Sequence, residues 1–468
     1  MRLTLRDLQD LKPLEIRNRE RLQGVLTGVS TDSRTTRSGD VFFALRGPSF
    51  DGHQFLGEAL ARGARVAIVE VATSHWPTTG DAPLVVVEDT TKALGTLAQL
   101  YRSKFSIPVL AIGGSSGKTT TKEMTAAVLA ARLNVLRTEK NLNNHIGVPK
   151  TLFRLERKHD VAVVEIGTNH PGELKVLCEI LMPTHGLLTN IGAEHLEFFE
   201  SIDGVAREEG LLFEWLARHA GVALVNADDP RVVSVARACR RRISFGFSSR
   251  GAGVRGRSLW LDDRGRAQFE FSGGRIRKRR KVCLGVPGRH QAANALAAAA
   301  VGLTFGIPAA AIVEALQTFA ASDKRMAVFD LRDVTVLDDT YNANPDSTIA
   351  ALQTLAAMRV TGKRVAVLGD MLELGPCEAE EHRRIGEAAA RLGIDYVLTY
   401  GSRAKQIHDA AKNVFAVHYD QKNVLAEYLV ELVAPGDAVL IKGSRGMAME
   451  DVVTFLVQRL RKQDLQVR

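Results

Sequence analysis

The most constraining feature of this chain is the unbroken apolar run at residues 107–112. It ends in Gly113-Gly114-Ser115-Ser116-Gly117-Lys118-Thr119-Thr120 and leads into a helix-forming stretch from about Thr119 to Arg132. A wholly apolar run of this length reads as a strand buried on both faces, which is the mark of a parallel sheet covered by helices. The glycine-rich turn into a helix aims backbone N–H groups and the positive helix end at an anion. In such a loop Lys118 reaches the β and γ phosphates of a nucleotide and the Thr119 hydroxyl holds Mg²⁺. Residue 112 is Ile, so the pattern is the short GxxGKT rather than the full eight-residue form. A purely structural strand-to-helix turn is the competing reading, and the correct context on both sides favours nucleotide phosphate. Kinases, GTPases and ligases all remain open, although no guanine-reading NKxD is present.

The rest of the chain falls into three α/β regions. Residues 1–103 mix short strands (41–45, 66–69 and 84–87) with short helices. Residues 104–320 hold the phosphate loop and further buried-type strands at 161–166, 186–191 and 222–225. An antiparallel appendage with Gly turns is expected over 243–287, followed by helices within 291–318. Residues 321–468 repeat a βα unit, with strands at 364–368, 396–400 and 438–441 each running into glycine or Lys-Gly. In doubly wound sheets the ligand crevice lies at those carboxyl ends.

The chain has 468 residues, 45% hydrophobic and 25% charged, as an ordinary globular protein of several domains does. Residues 291–313 lack charge but are Ala-rich and broken by Gly306-Ile307-Pro308, so two packed helices are expected rather than a membrane span. Charges in the first residues, MRLTLRDLQDLKP, argue against a secretory signal. Cys178, Cys239, Cys283 and Cys377 show no zinc or disulfide spacing, which suits a reducing cytoplasm. The net charge of +9 fits an acidic partner. Much of it sits in Arg275-Ile276-Arg277-Lys278-Arg279-Arg280-Lys281, where no aromatic residue is interleaved for base stacking. A solvated basic hairpin is expected there, not a nucleic-acid site.

Several strings occur in order along the chain. Ser30-Thr31-Asp32-Ser33-Arg34 and Phe43-Ala44-Leu45-Arg46-Gly47 precede the phosphate loop. Asn141-Leu142-Asn143-Asn144-His145-Ile146-Gly147, Val164-Glu165-Ile166-Gly167-Thr168-Asn169-His170 and Thr189-Asn190-Ile191-Gly192-Ala193-Glu194-His195 follow it. Then come Pro287-Gly288-Arg289-His290-Gln291-Ala292-Ala293-Asn294, Asp338-Asp339-Thr340-Tyr341-Asn342-Ala343-Asn344, Gly369-Asp370-Met371-Leu372-Glu373 and Lys442-Gly443-Ser444-Arg445. This succession closely resembles the Mur ligase family, over nearly the whole chain. It is most similar to the members that add D-alanyl-D-alanine to UDP-N-acetylmuramoyl-tripeptide. The DNPR signature typical of diaminopimelate- or lysine-adding members is absent, and the TDSR and ALRG strings speak against the folate branch.

The resemblance implies a UDP-sugar domain, a central ATPase domain and a C-terminal Rossmann-like domain. It implies ATP and Mg²⁺ as cofactors, small-molecule substrates and a cytoplasmic place in peptidoglycan precursor synthesis. The chain is expected to act as a monomer, without nucleic acid or membrane insertion. By the same resemblance Gly114, Ser115, Ser116, Gly117, Lys118, Thr119 and Thr120 meet the nucleotide phosphates. His290 and Asn294 meet the adenine, Asp339 the ribose side, Asn342 and Asn344 shape that turn, and Arg325 reaches the phosphates. Ser33, Arg34 and Arg46 are expected at the UDP end and Asn143 and Asn144 at the peptide arm. Lys442, Ser444 and Arg445 are expected near the incoming dipeptide. Thr119, Glu165 and His195 are implied metal ligands.

The chain departs from the family in two places. Glu209 stands where such ligases carry a carbamylated lysine that helps hold the second Mg²⁺, and its own carboxylate is expected to replace the carbamate. Lys324 stands where the family has Gly, so a different local turn is expected there.

Overall fold

The computed structural model describes residues 1–22, 24–71, 82–274, 276–321 and 324–466. Arg275, the first residue of the basic run, lies outside them. The architecture is mixed α/β with largely parallel sheets. Contacts divide the chain into two compact units, residues 1–111, 133–168 and 172–186, and residues 112–132, 169–171 and 187–468.

In the first unit a five-stranded sheet runs in the order Glu15–Arg17, Leu84–Val87, Val66–Glu70, Asp40–Phe43, Gly28–Ser30. Only the Glu15–Arg17 pairing is antiparallel. Apart from Asp40 and Glu70 at their ends the middle strands are apolar and buried on both faces, as helix-covered parallel strands must be. The helix Thr90–Arg102 starts where the Asp89 carboxylate accepts the N–H groups of Thr91 and Lys92, satisfying two donors that have no intrahelical partner. The strand Val161–Glu165 pairs in parallel with Val135–Arg137, which brings Glu165 to a carboxyl end.

In the second unit the helix Lys118–Ala130 follows the phosphate loop, and the Ala-rich helix Arg289–Thr304 packs beside it. A Cβ on Gly302 would lie 2.5 Å from Val128 Cγ1, so glycine permits that close approach. The chain breaks at Gly306, and Pro308 caps the next helix, Ala309–Gln317, as the sequence suggested. Among the described residues no helix is long and apolar enough to cross a membrane.

The appendage differs from expectation in its start. Arg241–Gly246 runs parallel to both Val222–Asn226 and Val254–Leu261, and the antiparallel part begins only at residue 254. The cause is the turn between them. Asp228 accepts the N–H groups of Phe247, Ser248 and Ser249 at 2.6, 2.9 and 2.9 Å and carries the chain out of the strand without a hairpin. Alternating burial looks the same in both strand directions, so the sequence pattern could not tell them apart.

The C-terminal sheet has the order Ala327–Leu331, Val334–Asp339, Ala438–Lys442, Arg364–Gly369, Tyr396–Tyr400, Phe415–Tyr419, parallel except for the first pair. Asp339 and Lys442 are register partners at adjacent carboxyl ends.

Candidate active site

The strand Val109–Gly113 delivers the chain to the phosphate loop, where Gly114 and Gly117 take φ of +110° and +82°. Both glycines are required. A Cβ on Gly114 would lie 2.3 Å from Thr189 Oγ1 and 2.8 Å from the Asn190 carbonyl, and one on Gly117 would lie 2.6 Å from Asn294 Oδ1. Left-handed backbone and a clash together predict that Gly114→Ala lowers stability by about 2–4 kcal/mol and abolishes nucleotide binding. Urea unfolding and ATP titration of the variant check both effects.

The loop spends its first N–H groups internally. Gly114 donates to Glu209 Oε2 at 2.9 Å, Ser115 to the Asn190 carbonyl at 2.9 Å and Ser116 to Asn190 Oδ1 at 3.0 Å. The part left facing an anion is therefore the start of the helix Lys118–Ala130, whose first N–H groups have no intrahelical acceptor. Thr119 is buried there, with Thr120 partly so, and Lys118 Nζ sits 3.1 Å from Glu194 Oε2. Asn344 donates to the Ser116 hydroxyl at 3.1 Å, and Asn294 donates to Gln291 at 2.9 Å beside Gly117.

Glu209, on the helix Ile202–Arg218, is fully buried, and its Oε1 has no hydrogen-bond partner. Burial first, and the nearby Glu194 charge second, push its carboxyl up to about 8, against the pull of Lys118 and the Gly114 N–H. An unbonded buried carboxylate oxygen beside a phosphate loop is a position that a cation can satisfy.

The other metal candidates have partners of their own. Glu165 is buried in the first unit and accepts from Asn143 Nδ2 at 3.0 Å. His195, with φ +48°, bonds through Nδ1 to Glu373 at 2.5 Å, and this bond holds the Glu373 carboxyl low. Among the described residues no three His, Cys, Asp or Glu side chains converge on one point. Mg²⁺ needs no such cage when phosphate and water supply the remaining oxygens.

At the C-terminal sheet, Lys442 is buried and donates to Asp339 Oδ2 at 2.5 Å and to the Asn342 carbonyl at 2.8 Å. Asn342 Oδ1 accepts the Arg445 N–H at 3.2 Å. The Ser444 hydroxyl is used within the fold, accepting the Leu372 N–H at 2.9 Å and donating to the Ala343 carbonyl at 3.2 Å. His290 keeps one partly exposed edge, but its Nδ1 is buried without a partner. Burial of the ring, aided by the Lys442 charge and opposed by Asp339, pushes it down to about 4. The neutral ring is thus the folded form, and stability is complete above pH 6.5 and lost as pH falls toward about 4. Between pH 7 and 4.5 the ligand-free protein should lose on the order of 1–3 kcal/mol more than His290→Gln, read from melting temperatures.

Three family models match the chain: Mur ligase family, catalytic domain, over residues 25–102; Mur ligase middle domain, over 112–302; and Mur ligase, glutamate ligase domain, over 324–445. The UDP-N-acetylmuramoyl-tripeptide--D-alanyl-D-alanine ligase of Escherichia coli (strain K12) is 39% identical over 443 residues, 93% of this chain and 95% of that protein. The chain belongs to the Mur ligase family. A crystal structure of MurF from Acinetobacter baumannii aligns with a TM-score of 0.89 and 32% identity, covering 98% of this chain and 99% of that one. The MurF ligase of Thermotoga maritima, solved in complex with ADP, aligns at 0.83 with 29% identity over 94% of this chain and 99% of that one.

Lys324, where a local turn different from the family's was expected, has a left-handed backbone. Its φ is +61°, the left-handed conformation that glycine adopts without strain, and its Nζ is tied to Glu450 Oε1 at 3.0 Å. Arg325 lies 3.7 Å over the Tyr341 ring. In the first unit Ser33 is buried on Glu58 at 2.8 Å, Arg34 is exposed and paired with Asp32, and Arg46 reaches Asp51 and Glu70. Asn144 caps the Ile146 and Gly147 N–H groups, which occupies its side-chain oxygen.

Two residues had escaped the sequence reading. Glu450 joins Lys324 to Arg445, accepting from the latter at 2.5 Å. Burial pushes its carboxyl up, but its own N–H, Lys324 and Arg445 together hold it down at about 2. Burial pushes the Lys150 amine down, with Asp32 of the TDSR string acting the other way. Neither sits in a motif with a chemical signature, and both emerge only from long-range neighbours.

Proposed function

We propose that this chain is an ATP-dependent ligase that adds D-alanyl-D-alanine to UDP-N-acetylmuramoyl-tripeptide, in cytoplasmic peptidoglycan precursor synthesis. The observation that carries the reading is the half-buried Lys118 beside the two-glycine phosphate loop, in a chain similar over nine-tenths of its length to ligases named for that reaction. Joining a carboxylate to an amine in water needs a leaving group, and phosphoryl transfer to the tripeptide carboxylate supplies it as an acyl phosphate. Two anions must first meet, so cations are essential. Lys118 neutralises the transferring phosphoryl group, and its exchange of Glu194 for phosphate accompanies nucleotide binding.

Magnesium held by Thr119, Glu165, His195 and Glu209 would neutralise the phosphate oxygens and polarise the phosphorus for attack. Glu209 contributes a carboxylate that needs no CO₂, in place of a carbamylated lysine. His290, Asn294, Asp339 and Asn342 form the nucleoside side, and Arg325 approaches the phosphates. Ser33, Arg34 and Arg46 take the UDP end, Asn143 and Asn144 the peptide arm, and Lys442, Ser444 and Arg445 frame the dipeptide side. The three domains are assigned to residues 1–103, 104–320 and 321–468, and the working unit is a monomer.

A substrate panel scored by phosphate release tests the reading. Release from ATP should require UDP-N-acetylmuramoyl-tripeptide and D-alanyl-D-alanine together. Equal release with neither substrate, or none with both, refutes it.

A further inference from the structure

The charge of this chain is not spread over it. Residues 237–281 carry fifteen Lys and Arg against three Asp and Glu, a net +12, while the whole chain is +9, so the remainder is slightly acidic. The register of the appended sheet gathers part of this excess on one face. Arg257 pairs with Glu270, which pairs with Lys281, and in the next row Trp260 pairs with Gln268, which pairs with Cys283. Ala267, Phe269 and Phe271 alternate with these residues and are buried, so the rows above form the outer face.

A β-bulge completes the surface. Arg257 and Trp260 are three residues apart and would point to opposite faces of a regular strand. The register shift between them, with Ser258 at φ +53°, puts both on the outer face. Trp260 is 48% exposed, and Lys281 Nζ lies 5.7 Å from its ring centroid. Arg279 pairs with Glu270 at 3.3 Å, and Arg255, Arg257 and Lys281 on the same face give it a net positive charge.

Edge-strand protection accounts for charges on Ile276–Pro287, which lies at the end of its sheet, but not for Arg255 and Arg257 on an inner strand. We propose that this outer face, centred on Arg257, Trp260, Arg279 and Lys281, docks the protein on an anionic lipid surface. A basic face with an exposed tryptophan matches a headgroup layer, where each Lys or Arg adds attraction and Trp seats at the interface. Single-stranded nucleic acid is the poorer fit, because it stacks successive bases on several rings.

Vesicle sedimentation of the full chain tests this. The protein should pellet with phosphatidylglycerol-containing vesicles in low salt, remain in solution with phosphatidylcholine alone, and release as salt rises. The triple variant Arg257→Glu, Arg279→Glu, Lys281→Glu should bind at least a hundredfold more weakly, at roughly fivefold or more per residue. Its phosphate release should be unchanged, which shows that it is folded. Equal binding to neutral vesicles, no binding to either vesicle, an unaffected triple variant, or tighter binding to an RNA oligomer than to the anionic vesicles would each overturn the proposal.

Discussion

Lys118→Met lowers turnover on the order of a thousandfold or more, the scale set by losing one preorganised charge at the point where transition-state charge develops. The ammonium lies 3.1 Å from Glu194, and both side chains are largely buried. Its removal therefore has a second consequence, because a buried carboxylate loses its counter-ion at a cost of about 3 kcal/mol. The two effects separate in a double variant. Lys118→Met with Glu194→Gln recovers most of the lost melting temperature, because a neutral amide needs no counter-ion, while turnover stays at the level of the single variant. Recovery of both together would mean that Lys118 acts on the fold and not on phosphate.

Glu209→Gln shows the opposite division between activity and stability. The wild-type carboxylate is fully buried, with one oxygen on the Gly114 N–H and the other unbonded. Its folded value of about 8 lies above the ordinary 4.5, so the ligand-free fold holds a proton that the unfolded chain has released. Stability on this account falls as pH rises from about 4.5 to about 8. Gln keeps the hydrogen bond from Gly114 and never ionises. The variant should thus melt at or above the wild-type temperature at pH 8, and its stability should not fall over that range. Turnover at saturating Mg²⁺ should nonetheless drop by about a hundredfold or more, because an anionic ligand is gone. Paired melting and steady-state measurements check this. An unchanged rate would reduce Glu209 to a buried filler.

Much of this arrangement was legible in the sequence, for reasons tied to particular residues. The 107–112 run and the GxxGKT turn combine two short-range signals, full apolarity and glycine spacing, and each maps directly onto backbone geometry. The break at Gly306–Pro308 was equally local. What stayed hidden was set by partners far along the chain. The Gly114 N–H meets a residue 95 positions away, and Lys442 meets Asp339 at a separation of 103. The side chain of Lys442, expected by resemblance near the incoming dipeptide, has its nearest partners in Asp339 and the Asn342 carbonyl at the end of the C-terminal sheet. The direction of Arg241–Gly246 was hidden for another reason, since Asp228 turns the chain through backbone hydrogen bonds that leave no periodic trace. The backbone at Lys324 was hidden too, because a left-handed conformation is held there by a lysine whose pairing with Glu450 is long-range.

On the proposed mechanism the tripeptide carboxylate, not water, receives the phosphoryl group from ATP. In that route a carboxylate oxygen attacks phosphorus, ADP leaves, the D-alanyl-D-alanine amine attacks the acyl carbon, and the carbon–oxygen bond breaks. The released phosphate then carries an oxygen that began in the carboxylate. The direct test is a turnover with the tripeptide substrate labelled with ¹⁸O in its terminal carboxylate, followed by mass spectrometry of the phosphate. One ¹⁸O per phosphate is the predicted result, and unlabelled phosphate formed alongside amide product would contradict the account.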